Sequence, residues 1–273
     1  MMKRILGLLI AFMISIPAYA SIIVSPTKLE VNVNKIRNNY ATTSIEVKGD
    51  ATKPMRFKAY SGYFTIAEDS TMNMNAPKGD LYDASDKIRF VPSEFTIPPG
   101  KTQKVRINIS NVKSLPDGES RAVLYLEDVN AKEIEIPNTI GIGAQLILKT
   151  RVAVPIYIDK GKFNKVAVID NFEILKEKDG LYTQAKILST GNSKIRFSGK
   201  YQIIKGKKLI DEYLIDSRVV SGNGHYITKE KIKSDKISEA GDYTIRMILN
   251  YFDENDNKKS VKKDAVLKII GDI

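Results

Sequence analysis

Short runs in which apolar and polar residues alternate recur along nearly the whole chain. They span residues 22–33, 43–47, 55–60, 87–91, 102–109, 121–129, 143–158, 182–189, 194–204, 242–251 and 260–270. A period of two places every second side chain on one face of a strand, the mark of a half-buried sheet. In residues 102–109, Val105, Ile107 and Ile109 alternate with Lys104, Arg106 and Asn108. Turn signals separate the runs: Lys48-Gly49-Asp50, Pro98-Pro99-Gly100, Pro116-Asp117-Gly118, Lys178-Asp179-Gly180, Lys205-Gly206-Lys207 and residues 253–257. In Pro98-Pro99-Gly100, proline presets φ for the turn entry and glycine takes the positive φ that a β-branched residue could not. The only helical turns the pattern suggests lie near residues 234–239, just before Gly241. Many strands at this spacing predict an all-β chain of β-sandwiches. A polar step, Asp159-Lys160-Gly161-Lys162, follows the longest apolar run and divides a first domain over residues 21–158 from a second over 163–273.

That longest run, residues 142–158, carries the most information about function. Ile142, Ala144, Leu146, Leu148, Thr150 and Val152 share one face, and Gly143, Gln145, Ile147, Lys149, Arg151 and Ala153 the other. Two readings are open at this point. The run is either a central strand with its apolar face in the core, or an edge whose apolar face is used for binding, because an unpaired apolar edge otherwise invites aggregation.

Composition narrows the function classes. Lys3 and Arg4 precede an apolar stretch over residues 5–16 and an Ala18-Tyr19-Ala20 cleavage signal, so residues 1–20 read as a cleaved signal peptide. The apolar stretch is shorter than the roughly 20 residues a membrane span needs, so an exported protein without stable membrane insertion is expected. Lysine and arginine number 43 against 32 acidic residues, a formal charge of +11. They are spread over both halves, and with export this argues for a solvated surface and against nucleic acid. Cysteine and tryptophan are absent, so hydrophobic cores alone must stabilise the fold. The thirteen tyrosines form no cluster of the kind a carbohydrate site would want.

His225 is the only histidine and has no cysteine partner for a metal site. The acidic stretch 253–257 lacks the glycine and glutamate of a calcium loop and reads as a hairpin turn. No catalytic motif is present, and the reading is of a protein that is not an enzyme and needs no cofactor.

One stretch says more than its periodicity. Residues 90–109, FVPSEFTIPPGKTQKVRINI, fit the pattern P-x-x-F-x-I-x-P-G-x-x-Q-x-V-R-I, and LPDGES follows at residues 115–120. This wording resembles the N-terminal domain of the PapD-like periplasmic pilus chaperones. The resemblance covers residues 22–158 well. The second half matches only weakly, at Thr190-Gly191-Asn192-Ser193 and at residues 239–245.

The resemblance implies two immunoglobulin-like sandwiches after the signal peptide, in a divergent member of that family. It implies a soluble periplasmic protein that stabilises pilin-like subunits until an outer-membrane usher takes them over, without ATP. It also implies a role for the long strand. Gln145 to Val154, QLILKTRVAV, is similar to the family's donated strand, which places Ala144, Leu146 and Leu148, with Ile142, at the positions lent to the subunit. Such β-augmentation gains affinity from main-chain hydrogen bonds and specificity from alternate side chains.

The family holds the subunit's terminal carboxylate with an arginine on its first strand and a lysine on this one. Here Lys28 occupies the first position and Ala153 the second, a departure that leaves Arg151 as the substitute. Solvated strand charges are the alternative reading of Lys28 and Arg151. Val154-Pro155-Ile156-Tyr157 stands where the family carries an arginine-proline pair of an interdomain charge cluster. An exported structural or adhesive β-protein without a subunit client is the alternative function.

Overall fold

The computed structural model describes residues 22–130, 132–136, 144–232, 235–237 and 239–270, with the backbone alone for 132–136 and 144–148. The expected signal peptide over residues 1–20 and the candidate Ile142 lie outside the described residues.

The first half contributes β1 (Ile23–Ser25), β2 (Leu29–Asn32), β3 (Tyr40–Lys48), β4 (Met55–Ile66), β5 (Met72–Ala76) and β6 (Ile88–Val91). It continues with β7 (Glu94–Ile97), β8 (Thr102–Ser110), β9 (Gly118–Asp128), β10 (Lys132–Ile136), β11 (Ala144–Leu148) and β12 (Arg151–Lys160). One sheet has the order β1-β3-β8-β6. The other has β2-β12-β9-β4, with β5 and β7 both on β4. The chain leaves the first sheet after Ser25 and enters the second at Leu29, where β2 pairs in parallel with β12. The alternation in β8 holds: Val105, Ile107 and Ile109 are fully buried against Leu124, Ile156 and Ile158 of the facing sheet. Strand β9 is buried on both faces, because a second apolar cluster of Phe64, Val123, Tyr125 and Tyr157 covers its outer side.

The second half contributes β13 (Ala167–Glu177), β14 (Gly180–Ser189), β15 (Ile195–Lys205), β16 (Lys208–Val220), β17 (His225–Lys231), β18 (Gly241–Phe252) and β19 (Lys258–Ile269). Its first, second and fifth strands form the sheet β13-β14-β17; the other four form β16-β15-β18-β19. They enclose a separate core that includes Phe197, Ile203, Tyr243 and Leu249. Both halves follow the strand order of immunoglobulin-like sandwiches, and the chain is all-β.

Two expectations need correction. Residues 142–158 are not one strand: β11 ends at Leu148, β12 begins at Arg151, and the two belong to different sheets. The expected helical turn at 234–239 falls partly outside the described residues, and Asp235 and Lys236 form a plain turn. The helical turns that are described are Ser85–Lys87 and Val112–Ser114, both 3-10.

The polar step at 159–162 is also tied down. Asp159 is buried and accepts from Ser193 Oγ at 2.7 Å. Gly161 exchanges hydrogen bonds with the Asn34 amide at 2.6 and 2.8 Å, in a left-handed conformation (φ 67°) that favours glycine.

Candidate functional site

Strands β10 and β11 form a two-stranded hairpin that extends the β9–β12 pair beyond the sandwich. Its register places Leu148 opposite Lys132, Leu146 opposite Ile134 and Ala144 opposite Ile136. Among the described residues, β11 pairs only with β10, so its other edge carries unpaired backbone groups. Among the described residues, that side of β12 is unpaired from Arg151 to Pro155, until Ile156 meets Leu29 of β2. Among the described residues, an open edge therefore runs from Ala144, through the joint at Lys149 and Thr150, to Pro155.

A cleft of about 450 Å³ lies where the two halves meet, next to the start of β2. Five cations line it, Lys28, Lys165, Lys194, Arg196 and Lys258, against the carboxylates Glu30 and Asp256, with Phe197, Tyr251 and Phe252 as apolar wall. Lys28 is half-exposed and pairs with Glu30 at 3.0 Å. Lys194 is 3% exposed. Its ammonium lies 3.8 Å from the centre of the Tyr157 ring, 3.3 Å from Glu119 Oε2 and 3.9 Å from Glu30 Oε1. Burial pushes the Glu30 carboxyl up, but Lys194 and Lys28 outweigh it and hold the group below the usual carboxylate range.

Beneath the cleft, charges are buried between the halves. Glu119 accepts from the Lys194 backbone N–H at 3.1 Å and pairs with Arg121 Nε at 3.0 Å. Arg121 in turn donates to Ser221 Oγ at 2.7 Å. Burial pushes the Glu119 carboxyl up, and Lys194 and Arg121 offset this only in part. Gly118 allows the close approach, since a Cβ there would lie 2.7 Å from the Asn192 carbonyl oxygen. Glu119 was readable from the LPDGES motif, although its partners were not. Lys165, Lys194, Arg196 and Lys258 carried no sequence signal.

Arg151 does not join Lys28. It lies five residues from Ile156, roughly 16 Å of strand. Its guanidinium donates to Tyr60 Oη at 3.3 Å and Asn75 Oδ1 at 2.8 Å, and lies 4.2 Å from the centre of the Tyr125 ring. Ala153 packs on the outer apolar cluster.

The remaining candidates resolve simply. Residues 253–257 are the β18–β19 turn, in which Asp253 accepts from the backbone of Asn255 and Asn257. His225 Nε2 lies 3.0 Å from Glu68 Oε1, on the loop between β4 and β5.

No protein-family profile matches the chain, and no curated protein matches it in sequence. Solved structures similar to it include the YadV chaperone (10% identity, 90% of this chain and 100% of that one, TM-score 0.48). The class 5 fimbriae chaperone CfaA is similar too (12%, 90% and 99%, TM-score 0.49). So is a chain of the CsuC–CsuE chaperone–tip adhesion subunit complex of Acinetobacter baumannii (11%, 89% and 98%, TM-score 0.45). At such identities and TM-scores, the functional reading rests on this chain's own residues.

Proposed function

We propose that this protein is a divergent PapD-like periplasmic chaperone that holds exported pilin-like subunits by strand donation. The observation that carries the reading is the open edge from Ala144 to Pro155, which leads from an apolar-patterned hairpin to the mouth of a basic cleft. A subunit that lacks a strand would pair its backbone with this edge, and the positions of Ala144, Leu146 and Leu148 would fill its groove. Each apolar side chain so buried contributes about 1.5–3 kcal/mol. The domains are residues 21–158 and 163–273, delivered after removal of residues 1–20, and an outer-membrane usher is the receiving partner. The mechanism needs no bond-making step and no cofactor.

The client's terminal carboxylate would be drawn to Lys28, backed by the field of the cleft cations. Arg151 is too far along the strand to share it.

The test is co-expression with candidate subunits followed by copurification. Wild type should retain a strand-lacking subunit. Leu146→Asp with Leu148→Asp should lose it, because each carboxylate would have to be buried unpaired, while thermal stability stays within about 0.5 kcal/mol. Loss of the chaperone's own fold would instead place these residues in its core. A stable, folded protein that captures no subunit would favour the structural or adhesive reading.

A further inference from the structure

Arg151 opens β12 where two pairings of one ribbon fall out of register. Glu127 lies opposite Arg151, and Lys132 lies opposite Leu148. Five residue steps on one arm (127 to 132) thus match three on the other (151 to 148). An irregularity of this kind bends a ribbon and sharpens its twist. The direction of the β10–β11 hairpin is therefore set at this joint and not by one continuous ladder from β9 and β12. At this joint Asp128 N donates to Thr150 O at 2.9 Å across the ribbon, and Val129 N donates to Arg56 O of β4 at 2.9 Å.

Side chains from four strands converge on the same place. The Arg151 guanidinium lies against the Tyr125 ring of β9, and its terminal nitrogens donate to Tyr60 of β4 and Asn75 of β5. Tyr60 passes the connection on by donating to Glu127 Oε2 at 2.9 Å, and the Tyr60 and Tyr125 rings pack 5.2 Å apart. Tyr125 Oη also donates to the Met74 carbonyl and lies 3.3 Å from Asn75 Oδ1. A planar fork with two terminal nitrogens and a stacking face suits this arrangement; a lysine ammonium, a single compact nitrogen, would supply neither the plane nor two donor nitrogens held apart.

We infer that Arg151 is a positioning residue: its clamp across β4, β5, β9 and β12 sets the direction in which the β10–β11 hairpin leaves the first sandwich. The consequence for a client, a pre-aimed strand edge that loses less freedom on pairing, rests on the chaperone reading. The clamp itself does not, and the test uses the full chain without any client.

Because the chain has no cysteine, pairs of spin labels can be placed cleanly. One pair, at Glu133→Cys and Lys104→Cys, spans the hairpin and the sandwich. A control pair, at Thr96→Cys and Lys104→Cys, spans the sandwich alone. Pulsed dipolar spectroscopy should give one narrow distance distribution for each pair in the otherwise wild-type chain. Arg151→Ala and Arg151→Lys should broaden or shift the hairpin distance and leave the control unchanged. Asn75→Ala, which removes one acceptor, should do the same to a smaller extent, and decides the matter if Arg151→Ala does not fold.

The inference is overturned if the hairpin distance is unaffected by these changes, or if it is already as broad before them. Equal broadening of the control pair would show a general structural role and overturn it as well.

Discussion

Glu119 shows how much can depend on one side chain here. It is 1% exposed and holds two cations, Lys194 and Arg121, that are each 3% exposed. Glu119→Ala would leave both buried without their shared partner, a change that typically costs about 3–5 kcal/mol. Urea denaturation should show a loss of that size, against near-neutral effects for exposed pairs such as Arg56–Glu94. Asp253 offers a pH test. Burial pushes its carboxyl up, but the backbone N–H groups of Asn257 and Asn255, with Lys259, pull it below the ordinary value. A lowered folded-state pKa gives stability that is complete above the unfolded value, about 4, and lost as pH falls through the folded one. Asp253→Asn should therefore flatten the stability–pH profile at acid pH, read by urea denaturation across a pH series.

Among the elements, the loop between β4 and β5 joins the two halves. Ser70 Oγ donates to Val219 O and accepts from Val219 N, both at 2.7 Å, and Glu68 O accepts from Ile227 N at 3.0 Å. It thus caps the edges of β16 and β17 at once. Ser70→Ala should cost about 1–2 kcal/mol and speed amide exchange at Val219 more than in β8. Such contacts were not legible in the sequence, since they join residues by shape rather than by period. Strands such as β8 and β18 are legible because one face lies in a core and the other is more exposed. Strand β13 was missed because a register shift between Ile169 and Asn171 breaks its alternation. Strand β16 was missed because it is an edge with exposed Leu209 and Leu214 among its charges. The run 142–158 looked continuous because a joint of two residues, Lys149 and Thr150, leaves the apolar pattern intact.

At the scale of the whole molecule, the basic cleft arises only where the halves meet. Lys28 could be read from the first strand, but the cleft cations Lys165, Lys194 and Arg196 come from the second half and have no motif to announce them. Other contacts hold the connection: Lys160 Nζ donates to Leu115 O at 2.6 Å, and Asp159 is buried and accepts from Ser193 Oγ of the second half. Trypsin should therefore cut slowly at Lys160 and Lys162 in the wild type and faster in Glu119→Ala, followed by gel electrophoresis of the two fragments. Strand donation itself makes a sharper demand. A photo-crosslinking residue placed in turn at positions 144 to 148 of the full chain, in cells that export its subunits, samples both faces of β11. Crosslinks to a strand-lacking subunit, identified by mass spectrometry, should appear from positions 144, 146 and 148 and fade at 145 and 147. Crosslinks from the alternate positions to the protein's own first sandwich, or equal yields at all five, would contradict strand donation.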